Sequence, residues 1–314
     1  MNHTLEEQIF DITIKNGYIL EQEVAEIMES LQFIVLHSYP YEDYDLKSSR
    51  EIGVIATKKI ASYIDSEDPN KKVSILITLI IECKSGSGIF TFIGKQKKDS
   101  DREIIYNDYF PASSCVLREN GVWKQENKDI FEYLKIYKLH YSQSQKFKTS
   151  QFIRLSNNQG KLVYDDKAHD NIFQKHVLPP IKTLIDMKKK NFPNDIECRD
   201  VIRIYFPIVV INGDIYYMDY TAKNKNDVQK IGSISFNHNM VVDSKTNSFR
   251  IDFVSKDDLI EFVNTKILPY ASYISQIVSA DPKSFIQTKV HPNDFGMLND
   301  ATQKIIDTIS SQSQ

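Results

Sequence analysis

The chain predicts an α/β fold in which one mixed sheet is flanked by helices and interrupted by a large helical insertion or subdomain. Two apolar runs carry that expectation. Val73–Cys83 and Val201–Ile211 are dominated by Val, Ile and Leu, as expected of strands buried on both faces. The third observation is the placing of amphipathic helical stripes before the first run and after the last, at residues 20–32 and 257–277. Helices so placed can cover a shared sheet.

Thr4 followed by Glu7 resembles a capping box and opens a short helix over residues 4–15. Asn16–Gly17 stops it. The next helix, about 20–32, has an apolar stripe of Leu20, Val24, Ile27, Met28 and Leu31, with Glu21, Glu23 and Glu26 off its centre. Phe33–Tyr39 reads as a strand, Pro40–Ser49 as a polar turn, Glu51–Ala56 as a short strand, and Lys58–Ile64 as an irregular connector. The charged 66–72 turn leads into Val73–Cys83. Residues 95–200 are Lys- and aromatic-rich, with helical stretches at 129–141 and 171–190, the second kinked or restarted at Pro179–Pro180. After Val201–Ile211, Asn212–Gly213 predicts a hairpin whose return strand is Asp214–Tyr220. Phe249–Val254 is a further strand, and the 257–277 helix is interrupted at Pro269.

Composition narrows the function classes. The chain has 314 residues, 41% of them hydrophobic, enough for a sizeable core. The 39 Lys and Arg against 42 Asp and Glu leave a net charge of −3. A non-specific polycationic nucleic-acid binder is not expected, and any nucleic-acid surface must be a local patch. No apolar run approaches the ~20 residues of a membrane span, so no membrane partner is expected. Three widely spaced cysteines, Cys83, Cys115 and Cys198, fit reduced thiols and a cytoplasmic location. Met1–Asp11 lacks the basic, apolar and small-residue succession of a signal peptide. The organisation expected is 1–95 as the first part of the core, 96–200 as the insertion or subdomain, and 201–314 as the strands and helices completing the core.

Glu82-Cys83-Lys84 closes the first buried run. Period-two alternation places Glu82 and Lys84 on one face of the strand. A carboxylate able to hold a divalent cation, beside an ammonium able to orient water, suits metal-assisted phosphodiester hydrolysis. The alternative is a surface ion pair worth ~0–1 kcal/mol.

The succession Leu20-Glu21, then Tyr39–Tyr41 and Asp43–Tyr44, then Ser49-Arg50-Glu51-Ile52, then Ile81-Glu82-Cys83-Lys84 resembles the PD-(D/E)xK nuclease superfamily, the restriction-endonuclease-like fold. The resemblance covers about residues 18–95 and, more loosely, 201–265. It implies that Glu82 ligates Mg²⁺ or Mn²⁺ together with the Cys83 carbonyl, and that Lys84 serves the attacking water. It further implies that Glu21 assists from the helix, that the substrate is DNA, and that the role is defence against foreign DNA. The first-strand Asp of the family should fall at position 53, which is Gly53. Three readings follow from that departure. Glu51 takes over as metal ligand and catalytic acid; Asp43 or Asp45 swings in; or the site is silent and the fold binds nucleic acid or a protein partner, the latter through residues 96–200.

Basic, ring-interleaved stretches mark candidate nucleic-acid contacts: Lys95, Lys97 and Lys98; Lys135 and Lys138; Lys188, Lys189 and Lys190. Lys84-Ser-Gly-Ser-Gly reads as a turn, since it lacks the Lys-Ser/Thr ending of a phosphate loop. His169 and His176 are seven apart with no third ligand nearby, so a zinc site is not expected.

Overall fold

The computed structural model describes residues 4–15, 17–65, 68–69, 71–85, 88–98, 115–119, 122–126, 134–158, 161–164, 173–190, 201–224, 227–242, 244–286 and 295–312. Its principal feature is an eleven-stranded mixed sheet, with helices against it. The first four strands are β1 (Ile34–Asp43), β2 (Ser48–Ile64), β3 (Lys72–Lys84) and β4 (Ile89–Gln96). A separate pair, β5 (Cys115–Glu119) and β6 (Val122–Glu126), stands apart from the sheet. The rest are β7 (Phe147–Asn158), β8 (Lys161–Tyr164), β9 (Val201–Ile211), β10 (Ile215–Asp219), β11 (Val228–Ile231), β12 (Ser233–Val242) and β13 (Lys245–Ser255). Five helices of eleven or more residues are α1 (Leu5–Lys15), α2 (Tyr18–Ser30), α3 (Leu178–Lys190), α4 (Leu268–Ala280) and α5 (Phe295–Gln312).

The two apolar runs are neighbours at the centre. β3 and β9 pair in parallel from Ser74–Val201 to Lys84–Ile211, and both are buried along most of their length, as their aliphatic composition requires. The order runs β1-β2-β3-β9-β13-β12-β7-β4-β10-β11, with β8 on β7. The 96–200 stretch therefore supplies strand β7 to the same sheet as the stretches on either side. Among its described residues it is not chiefly helical.

Chain connectivity shows that the sheet curls. β4 lies five strand spacings from β3, about 24 Å across a flat sheet. The link from Lys84 to Ile89 spans at most roughly 18 Å. Curling brings one face of nearly every strand into an inner core, where Ile80 of β3 shares a cluster with Phe90, Phe92, Phe152, Phe236 and Phe253. The Phe92 and Phe253 rings meet edge-on at 4.8 Å. An outer core lies on the opposite face of β2, β3 and β9, where Leu20, Val24 and Met28 of α2 and Tyr270, Ile274 and Ile277 of α4 pack. A buried polar knot fastens the 140–145 segment to the sheet. The Tyr141 and Ser235 hydroxyls donate to Asp252, and Arg250 donates to Ser142.

Several expectations meet a different outcome. Asn212–Gly213 does not close a hairpin, because β9 already has β3 and β13 on its two edges. β10 instead pairs in parallel with β4 and antiparallel with β11. β2 continues through Lys58–Ile64, pairing with β3 to Ile64–Lys72 with one irregularity between Lys59 and Ala61. Pro40 sits inside β1, tolerated because β1 is an edge strand paired only with β2. Pro179 and Pro180 fall directly after a π-type turn at Phe173–Val177, at the point where the regular α3 begins. The expected 129–141 helix lies partly outside the described residues, and Ile136–Leu139 form one 3₁₀ turn. The 257–277 helix contains a π-type turn, Val263–Ile267, before Pro269. Among the described residues no helix is long and apolar enough to cross a membrane.

Candidate functional site

The site begins where two strands part. The β2–β3 ladder ends at Val54–Ile81, although β2 reaches back to Ser48 and β3 runs on to Lys84. The β1–β2 ladder passes from His37–Val54 to Tyr39–Ile52, skipping Ser38 and Gly53, and Ser38 has φ 47°. Residues two apart on a regular strand share a face. Here Val54 belongs to the outer core and Ile52 to the inner one. The β1–β2 hairpin thus turns over at Ser38–Gly53 and, among the described residues, leaves the end of β3 with no strand paired on that edge. Glu82 and Lys84 stand on β3 at that notch, while the other edge of β3 stays sealed by β9, with the Asn212 N–H donating to the Lys84 carbonyl at 3.1 Å.

Glu82 and Lys84 form an ion pair of 2.5 Å, with side chains 13% and 22% exposed. Burial raises the pKa of Glu82, Lys84 pulls it back, and the negative charge of Glu21 pushes it up again. Glu21 is the second carboxylate of the site. Burial raises its pKa too, against the attraction of Lys84 and then His37, with Glu51 adding repulsion. It stands in the first turn of α2, where the helix dipole favours an anion. Gly17 starts that helix at φ 86°, and a Cβ on Gly17 would touch the Ser85 hydroxyl at 3.3 Å, so α2 begins directly against the end of β3.

Gly53 explains how Glu21 enters. A Cβ built on residue 53 would lie 3.0 Å from both the Glu21 carboxyl carbon and one of its oxygens. The glutamate of the helix occupies the volume that a side chain at position 53 would fill. Glu51, by contrast, is exposed on β2 opposite Pro40. Asp43 and Asp45 are engaged elsewhere. The Cys83 side chain is a buried free thiol in the outer core, with burial the first cause pushing its pKa up.

Residues to which the sequence assigned no role at this site lie around the notch. Tyr41 faces Arg50 across the hairpin. It is buried, and its pKa is pushed up to about 12, first by burial, with Arg50 opposing and Asp43 and Glu82 adding repulsion. His176, in the π-type turn before α3, is 9% exposed. Its Nδ1 makes no hydrogen bond among the described residues, and burial, then the charge of Lys84, lowers its pKa to about 3. Arg154 of β7 lies over the Phe90 ring at 5.9 Å, in space left open by Gly88. None of these carries a sequence signature, because each reaches the notch through pairing or packing.

Beside the notch, the hairpin tip is fastened to α3. Lys182 donates to Asp43 at 2.7 Å and pairs with Asp45 at 2.8 Å. Burial alone would raise the Asp43 pKa, but the Lys182 hydrogen bond and the Leu46 and Asp45 N–H groups outweigh it and hold the carboxyl below its usual range. Arg50 approaches Asp43 at 3.6 Å. The Tyr44 hydroxyl donates to Asp186 at 3.3 Å, and Lys190 pairs with Asp186 at 2.6 Å. An open groove of about 340 Å³ runs along this region, lined by Tyr41, Lys47, Ser48, Ser49 and Lys190 among others.

The expected lysine patches do not gather at one place. Lys188, Lys189 and Lys190 end α3 beside the hairpin, with Lys189 4.1 Å over the Tyr44 ring. Lys95, Lys97 and Lys98 lie at the far end of β4, roughly 20 Å along the strand from Ile89, and the Lys97 ammonium donates to the Ser142 carbonyl at 3.0 Å. Lys135 and Lys138 are exposed around the Ile136–Leu139 turn.

Among the described residues no three His, Cys, Asp or Glu side chains are grouped to hold a metal. Magnesium sites, however, commonly use one or two carboxylates and fill the remaining positions with water and phosphate oxygens. Glu82 and Glu21, the second of which raises the pKa of the first, are a donor set of that kind. Comparison of the chain with protein families, with curated proteins and with solved structures finds no match.

Proposed function

We propose that the chain acts on nucleic acid, DNA in the first instance, as a metal-dependent endonuclease of restriction-endonuclease-like architecture in which Glu21 replaces the missing strand acid. The observation that carries this reading is the Glu21 carboxylate filling the space above Gly53, next to the Glu82–Lys84 pair. Mg²⁺ or Mn²⁺ would be held by Glu21, Glu82 and the Cys83 carbonyl, and would polarise a phosphodiester and acidify water. Lys84, which pairs with Glu82, would orient the attacking water and offset charge developing on the phosphate. Arg50, 36% exposed, 3.6 Å from Asp43 and acting electrostatically on both Tyr41 and Glu82, would hold a phosphate oxygen. The groove past Tyr41, with Lys47 and Lys190 on its walls, offers cations to the adjoining backbone.

A second reading is a silent nuclease-like module that binds DNA or a partner protein. The direct Glu82–Lys84 contact and the lack of a three-donor group among the described residues favour it. Supercoiled plasmid incubated with Mg²⁺ or Mn²⁺ separates the two. Nicking or linearisation by the wild type, abolished in Glu82→Ala and in Lys84→Ala, supports the enzyme. Intact plasmid together with salt-sensitive retention of DNA overturns it in favour of the binding module.

A further inference from the structure

Residues 39–52 have the parts of a hinged element. At its base, Ser38 and Gly53 are the pair that the β1–β2 ladder skips, Ser38 has φ 47°, and both strands exchange faces there. Beyond that base the hairpin has no ladder to β3. What holds its tip is polar: Lys182 on Asp43 and Asp45, and Tyr44 on Asp186. What lies beneath it is the notch, toward which Tyr41 and Arg50 project their influence on Glu82.

We propose that residues 39–52 are a flap that swings about Ser38–Gly53 and is latched shut over the Glu82–Lys84 notch by Lys182 gripping Asp43. The flap is independent of the chemistry proposed for the notch. A latch made of a buried ion pair is physically suited to release, because the Coulomb energy lost on opening is offset by rehydration of both charges. Apolar anchors oppose opening. Ile52 and Tyr39 sit next to the hinge and move least, whereas Tyr41 must leave the inner core. Its hydroxyl is buried without a hydrogen-bond partner among the described residues when the flap is shut, a penalty that opening relieves. Opening carries Arg50 and Tyr41 away from Glu82 and widens the notch from a slot into a channel that a polymer can enter from the side.

Hydrogen–deuterium exchange on the full chain tests this, since a two-stranded hairpin cut loose from its neighbours is only marginally stable and its amides exchange. In Lys182→Met, amides of residues 39–52 are expected to exchange about tenfold faster or more, with those of 54–64 little changed. Tyr44→Phe removes one latch bond and no charge, so it remains usable should Lys182→Met fold poorly. It is expected to speed the same window by about threefold. Unchanged exchange over 39–52 in Tyr44→Phe, or acceleration spread evenly over 39–64 in either variant, overturns the flap. Neither outcome touches the nuclease reading, which plasmid cutting decides.

Discussion

Glu21 and Gly53 share one volume: a Cβ on residue 53 would stand 3.0 Å from the Glu21 carboxylate. Glycine at 53 is therefore what lets a helix residue reach the parting of β2 and β3. Gly53→Ala obliges Glu21 to retreat by a few tenths of an ångström and, on the proposed nuclease reading, is expected to slow cutting, a full 1 Å misplacement costing on the order of a hundredfold. Gly53→Asp places a third carboxylate beside two whose pKa values are already raised, and is expected to be worse. Gly53→Asp combined with Glu21→Ala returns the acid to the strand and, on the proposed reading, is expected to restore much of the lost cutting. Plasmid-cutting rates of the four proteins check the order.

Lys182 and Asp43 form a buried pair, and removing one partner of such a pair costs roughly 3–5 kcal/mol when the other charge stays buried. The flap gives Asp43 an escape into water. Lys182→Met is therefore expected to lose less than about 3 kcal/mol in urea unfolding, and Asp43→Asn/Lys182→Met to recover part of that. A loss at the full buried-charge value would show that the tip cannot lift.

Acid sensitivity follows from the histidines. The folded protein holds His176 neutral down to about pH 3, whereas the unfolded chain protonates it near pH 6.5. Below that value the unfolded state takes up a proton that the folded state refuses, so stability falls by up to about 1.4 kcal/mol per pH unit from this residue. His140 acts in the same direction, kept neutral by burial first and then by Arg250 and Lys97. The raised carboxyls Glu82 and Asp252 work against it, since their folded forms keep a proton that the unfolded chain releases. His176→Asn isolates one contribution. Its urea midpoint should fall less than that of the wild type between pH 7 and pH 5, and an equally steep fall would contradict the assignment.

How much of this was legible in the sequence depends on what placed each residue. β3 and β9 were plain because strands buried on both faces must be continuously apolar, and Glu82 and Lys84 stood out against that background. β7 and β12 were obscure because at least half of their positions are polar and their partners are distant in sequence. Asn212–Gly213 misled for a related reason: local turn chemistry favours a hairpin, but both edges of β9 are taken by strands that no local window contains. The polar Pro40–Ser49 stretch looked like a turn, yet an edge strand facing α3 can carry proline and charge. In the site, residue types were readable and distances were not. Glu51 matched the expected strand face on spacing alone; in the structure it is exposed, and its charge still reaches Glu21.

Whether Glu21 is the replacing acid is tested most directly by Glu21→Gln and Glu51→Gln assayed side by side for Mn²⁺-dependent plasmid cutting. Each variant changes one carboxylate to its neutral isostere, and Glu51 is exposed. The expected result is that Glu21→Gln falls to the background of Glu82→Ala while Glu51→Gln cuts like the wild type. Loss of cutting in Glu51→Gln with Glu21→Gln still active, or no cutting by the wild type itself, would contradict the assignment.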